Sequence, residues 1–271
     1  MISINKKKIK GIVIKTSDYK DNAQIIHLLT EKGLESFICR GAKKVESKMR
    51  HLTQEITYVE LVVTSNKSLN TITEGEVLEN YTAIKDNSDK LLVAMSMLET
   101  VNSFKNHIEN YETLFNFLLY SLTYLKETQF PNEFLNIFDI KMTYLLGIAP
   151  LFSKCVNCEN EGRFMSVSYG GLLCEKCKES NVFDIRVSEM IRMIFNIKPN
   201  KINDDFLKIA SEYQKILNIF VKEYYSFHLS YTNNIRQLTE KLAWKYLFFK
   251  EIFFIIQQSI QNILQILLKV V

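Results

Sequence analysis

Ile9-Lys-Gly-Ile-Val-Ile-Lys15, Gln24-Ile-Ile-His-Leu-Leu-Thr30 and Leu34-Glu-Ser-Phe-Ile-Cys-Arg40 are short runs of branched and aromatic residues divided by polar or glycine-bearing breaks. Runs of that length and composition read as strands and not as helices. Two more follow, from Ile56 to Val63 and from Leu69 to Glu76. Five short strands packed this closely predict a small barrel, of which the OB-fold is the common five-stranded version. Periodicity alone does not separate that fold from another small barrel.

The pattern changes at Asp89. Leu91, Leu92, Met95, Leu98 and Val101 recur at three- and four-residue intervals behind Ser88, a residue suited to an N-cap. Tyr111 to Leu125 and Pro131 to Leu146 continue the helical spacing, with Pro131 where a first turn tolerates proline and Gly147 as a stop. A further core helix is expected over Asp205 to Tyr225, with Phe206, Ile209, Ala210, Tyr213, Ile216, Leu217 and Phe220 on its apolar face. The class is therefore α+β: an N-terminal barrel over 1–80, then a mainly helical domain over 81–240.

Between Glu251 and Lys269 lie 17 residues without a formal charge. Gln257, Gln258, Gln261, Asn262 and Gln265 share one helical face there, and unpaired amides in hydrocarbon are costly. Residues 241–271 are thus expected to form an amphipathic helix that packs or binds a partner, not a membrane span.

The whole chain of 271 residues is 47% hydrophobic, with only 3 Pro and 8 Gly, so a sizeable core dominated by helix is expected. A net charge of +4 is no more than solubility requires. The lysines at the N-terminus run straight into a strand pattern, without the apolar segment and small-residue site of an export signal. Cytosol is the expected compartment, and the cysteines agree: four stand in two tight pairs, with Cys39 apart in a strand-like stretch as a buried small hydrophobe.

Those pairs, Cys155-Val-Asn-Cys158 and Cys174-Glu-Lys-Cys177, form a C-x₂-C-x₁₅-C-x₂-C arrangement within a module at 150–180. One turn directs both thiolates of a pair at an ion, and a hairpin between the pairs brings them together. Gly170-Gly171 supplies a tight turn before the second pair. Cys155, Cys158, Cys174 and Cys177 are expected to ligate one Zn²⁺, and four thiolates leave no open position, so the site is structural. Redox pairing and an iron–sulfur cluster are the rival uses of four cysteines.

Arg40, Lys43, Lys44, Lys48 and Arg50 face only Glu46 among residues 40–50, a local charge of +4. Loops on small barrels commonly engage single-stranded nucleic acid through such charge; the alternative is a solvated loop. Lys6, Lys7, Lys8 and Lys10 form a second basic run, read as a solvated terminus. Phosphate-loop, dinucleotide-turn and zinc-peptidase motifs are missing, the four histidines stand far apart, and the Ser17–Lys20 spacing is taken as chance. No catalytic residue is assigned, and the chain reads as a non-enzyme.

Taken in order, these parts resemble the RecO family of bacterial recombinational repair proteins. The matching stretches are Gly11-Ile-Val-Ile-Lys15, Tyr19, Asp21-Asn-Ala-Gln-Ile25, Thr30-Glu-Lys-Gly33, Arg40-Gly-Ala-Lys-Lys44, Glu74-Gly-Glu-Val-Leu-Glu79, Gly147-Ile-Ala-Pro150 and Tyr169-Gly-Gly-Leu-Leu-Cys174. The resemblance implies an OB-fold whose DNA-binding surface includes Arg40, Lys43 and Lys44, and zinc at the four cysteines. It implies a mediator that binds single- and double-stranded DNA and anneals complementary strands. With RecR, it would help RecA load onto DNA covered by single-strand-binding protein, at the nucleoid. The C-terminus departs from the family: Tyr224-Tyr-Ser-Phe-His-Leu229 fits, Ile235-Arg-Gln-Leu238 fits only loosely, and 241–271 has no counterpart. The other readings are a zinc-containing protein-interaction scaffold, which would not need the basic loop, and a hydrolase or transferase with an active site that the motifs do not reveal.

Overall fold

The strand alternation closes into a barrel. A computed structural model describes residues 6–65, 69–105 and 107–238, and its N-terminal part is built from β1 (Lys6–Tyr19), β2 (Ala23–Thr30), β3 (Gly33–Arg40), β4 (Thr57–Thr64) and β5 (Asn70–Glu79). Their order around the closed sheet is β1-β2-β3-β5-β4. β1 serves both edges: Lys6–Val13 pairs with β4 and Ile12–Tyr19 with β2, with a bulge between Val13 and Lys15. The barrel closes where β3 runs parallel to β5, from Phe37 opposite Asn70 to Cys39 opposite Ile72. This is an OB-type barrel, which settles what periodicity left open.

Alternation decides which side chains fill it. Ile26 and Leu28 of β2, Phe37 and Cys39 of β3, and Val59, Leu61 and Val63 of β4 point into one buried cluster, while their neighbours face outward. Cys39 is the buried small hydrophobe expected of it, and burial pushes its thiol up to about 11. Outward-facing Ile12 and Leu29 are fully buried too, because they belong to the core of the helical body that packs on this side of the barrel. Tyr58 takes the same role, its ring 6.0 Å from that of Phe115.

The helical body comprises α1 (Thr82–Lys85), α2 (Ser88–Ser103), α3 (Tyr111–Glu127), α4 (Pro131–Leu145), α5 (Ile185–Asn196), α6 (Asp204–Ser211) and α7 (Gln214–Leu229). The cap of α2 is Asn87 and not Ser88: the Asn87 side chain accepts from Lys90 N at 3.0 Å, which leaves Ser88 as the first helical residue. α4 ends as expected at Gly147, whose φ of +71° allows Ile148 N to reach Thr143 O at 3.0 Å and Gly147 N to reach Tyr144 O at 3.2 Å.

The single helix expected over Asp205 to Tyr225 is two. Glu212 N and Tyr213 N turn back to Ile209 O and Ala210 O, the tight bonding of a closing helix, and α7 starts at Gln214, held by Asn136 of α4 at 2.8 Å. The break re-phases the buried stripe, so Leu207, Ala210, Leu217, Phe220, Val221, Tyr224 and Tyr225 are buried while Ile209 stays 54% exposed.

Asp204, at the start of α6, ties this region to α3. Its carboxylate accepts from Tyr124 Oη at 2.9 Å, Thr128 Oγ1 at 2.6 Å and Gln129 N at 3.1 Å. Partial burial works to raise its pKa, but these donors and Lys90 outweigh burial and hold it below the usual carboxylate value. A carboxyl depressed in the fold contributes stability that is full above its unfolded pKa and is lost as pH falls through the folded one. Asp204→Asn is therefore expected to destabilise by about 2 kcal/mol at neutral pH. The deficit should shrink below about pH 4 in urea melts; an equal deficit at every pH would contradict this account.

A second compact unit begins at Asn233. Its described part carries helix over 234–238, with Asn233 Oδ1 accepting from Arg236 N at 2.8 Å. The amphipathic tail expected over 241–271 lies outside the described residues. Among the described residues no helix is long and apolar enough to cross a membrane.

Candidate metal centre and nucleic-acid interface

The four paired cysteines meet on a small hairpin between α4 and α5. Its strands, β6 (Phe164–Ser166) and β7 (Gly171–Leu173), pair antiparallel from Phe164 opposite Leu173 to Ser166 opposite Gly171. Gly170 has a φ of +63°, and a Cβ on Gly171 would lie 2.7 Å from Leu151 O, so neither position accepts a larger residue without a shift. That close approach lets Val156 N bond Leu172 O at 2.9 Å, which lays the first cysteine turn over the hairpin. The second turn closes on itself, with Cys177 N and Lys178 N both donating to Cys174 O.

The four sulfurs lie within 4.8 Å of one another, and Cys158 Sγ is 3.5 Å from Cys174 Sγ. Zn–S bonds of about 2.3 Å at tetrahedral angles would separate the sulfurs by roughly 3.8 Å, so the cluster fits a four-thiolate ion. Protonation points the same way. Burial of Cys155 acts to raise its pKa, but the backbone amides of Asn157, Cys174 and Cys158 outweigh it and bring the thiol down to about 6. Cys177, hydrogen-bonded to Cys158 and Cys174, is pushed up to about 12. Cys158 is lowered as well, chiefly by the Asn160 amide, so two of the four thiols lean toward the thiolate form that a metal ligand takes. The group can hold a metal ion.

The module is anchored to the helical body: Met165 and Leu172 enter its core, Met165 N donates to Ser188 Oγ at 2.7 Å, and Tyr224 Oη donates to Ile148 O at 2.8 Å. Its surface charges are compensated. Lys154 pairs with Glu159, Arg163 with Glu161 and Lys178 with Glu175.

The basic loop is built differently. Arg40 ends β3, Ala42 is buried beside the exposed Lys43 and Lys44, and Ser47 caps a short 3₁₀ helix over Lys48–Thr53. Leu52 from that helix plugs the barrel core, with Met49 packed against it, while Lys48 and Arg50 project outward. Successive turns, Lys44 N to Gly41 O and Ser47 N to Lys44 O, hold the loop in shape. The five cations therefore sit on an ordered plug at one end of the barrel. Lys43 is partly committed, donating to Asp18 at 3.0 Å and lowering that carboxyl's pKa. The remaining four have no ion-pair partner among the described residues.

The N-terminal lysines are exposed, as expected, but they stand on β1, and three of the four meet carboxylates. Lys6 pairs with Glu74 at 2.9 Å, and Lys8 and Lys10 share Glu60 at 2.8 and 3.7 Å, across the face formed by β1, β4 and β5. Sequence reading could not find this, since the partners are brought together by barrel register alone.

Comparison with known families agrees with this order of parts. Residues 1–81 match the model described as recombination protein O N terminal, and residues 86–232 match recombination protein O C terminal. The chain belongs to the RecO family. Among similar proteins, the DNA repair protein RecO of Halalkalibacterium halodurans is 26% identical over 240 residues, spanning 85% of this chain and 94% of the relative. That of Bacillus mycoides is 28% identical over 240 residues, with 85% and 97% covered, and that of Bacillus cereus is 27% identical over the same shares. As a RecO family member this is a DNA repair protein, and DNA is the partner that such a role implies.

Proposed function

We propose that this chain is a recombination mediator that acts without chemistry of its own, by neutralising DNA. The observation that carries the reading is the charge of Arg40, Lys44, Lys48 and Arg50, free of ion pairs among the described residues on an ordered barrel end, in a molecule whose other basic run has Lys6, Lys8 and Lys10 engaged by two glutamates. Cations held at fixed spacing attract phosphates of single- and double-stranded DNA irrespective of sequence. Two strands gathered on such a surface repel each other less, while their base edges stay free to pair. Annealing of complementary strands follows from that alone.

Zinc at Cys155, Cys158, Cys174 and Cys177 would hold the hairpin to the helical body, and would take no part in DNA contact. In this reading residues 1–80 form the DNA-binding domain and 81–240 the helical domain that carries the zinc module. The protein would work in the cytoplasm at the nucleoid. There, with RecR, it would assist RecA onto strands covered by single-strand-binding protein.

The test measures annealing of complementary oligonucleotides and single-strand binding at low and moderate salt, with and without single-strand-binding protein. Acceleration of annealing by at least about tenfold at low salt, lost as salt rises, is the expected result. Absence of DNA binding under every condition would defeat the reading and favour the protein-interaction scaffold.

A further inference from the structure

Lys141, Tyr144 and Leu145 of α4 follow the i, i+3, i+4 spacing that sets side chains on one helix face, and together they line a groove of about 690 Å³. Phe117 and Tyr120 of α3 and Phe195 of α5 supply its other walls. The groove is largely apolar, and no carboxylate among the described residues lines it. Tyr144, 69% exposed, marks where it opens to solvent.

The place of Lys141 in this groove has a local cause. Phe195 O, in the last turn of α5, would bond the N–H four residues on, but that residue is Pro199, which has none. Ile197 O lies past the helix end, and the N–H four residues on from it, that of Lys201, goes to Lys198 O instead. Lys141 Nζ donates to both carbonyls, to Phe195 O at 3.2 Å and to Ile197 O. Tyr120 Oη donates to Pro199 O and closes the same end.

Two acceptors are one fewer than an ammonium group can use. An ammonium has three N–H bonds, and Lys141 meets neither a third protein acceptor nor a carboxylate among the described residues. A neutral amine has two N–H bonds and a lone pair, so it serves both carbonyls and keeps the lone pair free. Burial favours the same form and brings the pKa of Lys141 down to about 8. Lys85 separates hydrogen bonding from burial. Burial brings it to about 8 as well, but its Nζ donates to Asn80 Oδ1 at 2.7 Å, Thr57 Oγ1 at 2.8 Å and Gln54 Oε1 at 3.5 Å. All three N–H bonds of an ammonium are used there.

We propose that Lys141 is a modification site: its Nζ accepts a short acyl group from an activated donor, a thioester or an acyl phosphate, and the groove houses the acyl chain. The lone pair attacks the carbonyl carbon and the bond from that carbon to sulfur or phosphate oxygen breaks. The thiolate or phosphate leaves with its electron pair, and the surplus proton on nitrogen passes to water. The amide so formed keeps one N–H and no charge, so one of Phe195 O and Ile197 O loses its donor. Acylation thus loosens the end of α5, the helix that holds the cysteine hairpin through Ser188.

The test incubates the full chain at slightly alkaline pH with acetyl-coenzyme A in one arm and acetyl phosphate in the other, and follows each lysine by peptide mass spectrometry. Lys141 is expected to be acetylated at least about fivefold faster than Lys198, an exposed lysine of the same groove. It should also outpace Lys85 at least about fivefold, although burial lowers both alike. Fast reaction in either arm supports the site, and the arm identifies the donor. Lys141→Gln, which stands in for the acylated side chain, should melt roughly 3 °C below the parent; an unchanged midpoint would overturn the consequence for α5. A Lys141 no faster than Lys198 in both arms, or a Lys85 as fast as Lys141, would overturn the site itself. Neither arm contains DNA, so the result stands apart from the recombination reading.

Discussion

Cys174→Ser is expected to reduce bound zinc from one equivalent to less than about 0.2 and to lower the unfolding midpoint by roughly 10 °C. The size follows from where the residue sits. Cys174 is buried, its carbonyl closes the second turn by accepting from Cys177 and Lys178, and Leu173 beside it belongs to the same small cluster as Cys155. That cluster is too small to stand as a core, so a bound ion would add much of the cohesion around the two cysteine turns. Loss of a structural metal belongs to the short list of changes that cost more than about 4 kcal/mol. Below its melting point, the variant should still bind DNA to within about threefold of the parent, because the pairs Lys154–Glu159 and Arg163–Glu161 leave the module little net field. Metal analysis of anaerobically prepared protein, with a thermal melt beside it, checks both parts. A parent without zinc, or a variant melting within a degree or two of the parent, would refute the structural role.

The barrel was legible because each strand keeps its alternation over several residues and each break carries glycine or polar side chains. Periodicity could not say which barrel; the parallel pairing of Phe37–Cys39 with Asn70–Ile72 is long-range and leaves no local mark. The cysteine module was legible for the opposite reason, since two two-residue spacings are a local demand of the ion. The end of α6 was hidden. Neither proline nor glycine marks Ser211 to Gln214, and the break is held by Asn136 of another helix. Charge was legible only as clusters: sequence shows two basic runs, and the fold partly offsets one of them by setting Glu60 and Glu74 beside it. Asp18 and Lys43 are likewise distant in sequence and joined by the fold.

That last pairing shapes the outcome of reversing charge in the loop. Lys43→Glu with Lys44→Glu should weaken single-strand binding at least tenfold at low salt and flatten its salt dependence by roughly 1.4, the value for two phosphate contacts on a single strand. The two positions are not equal. Lys44 is exposed without an ion-pair partner among the described residues, whereas Lys43 donates to Asp18 at 3.0 Å and must share or leave that carboxylate to reach a phosphate. Exposed pairs of this kind are weak because water screens them, so the competition is mild and its removal is measurable but small. Asp18→Asn should therefore tighten binding by about twofold, the reverse of the loop variant, with little change in stability. Since Ala42 and Leu52 fix the loop from inside and neither lysine is part of the barrel core, the double variant should melt close to the parent. Binding measured across a salt series tests the loop directly: unchanged affinity and slope in Lys43→Glu/Lys44→Glu would take it out of DNA contact, whatever the rest of the barrel does.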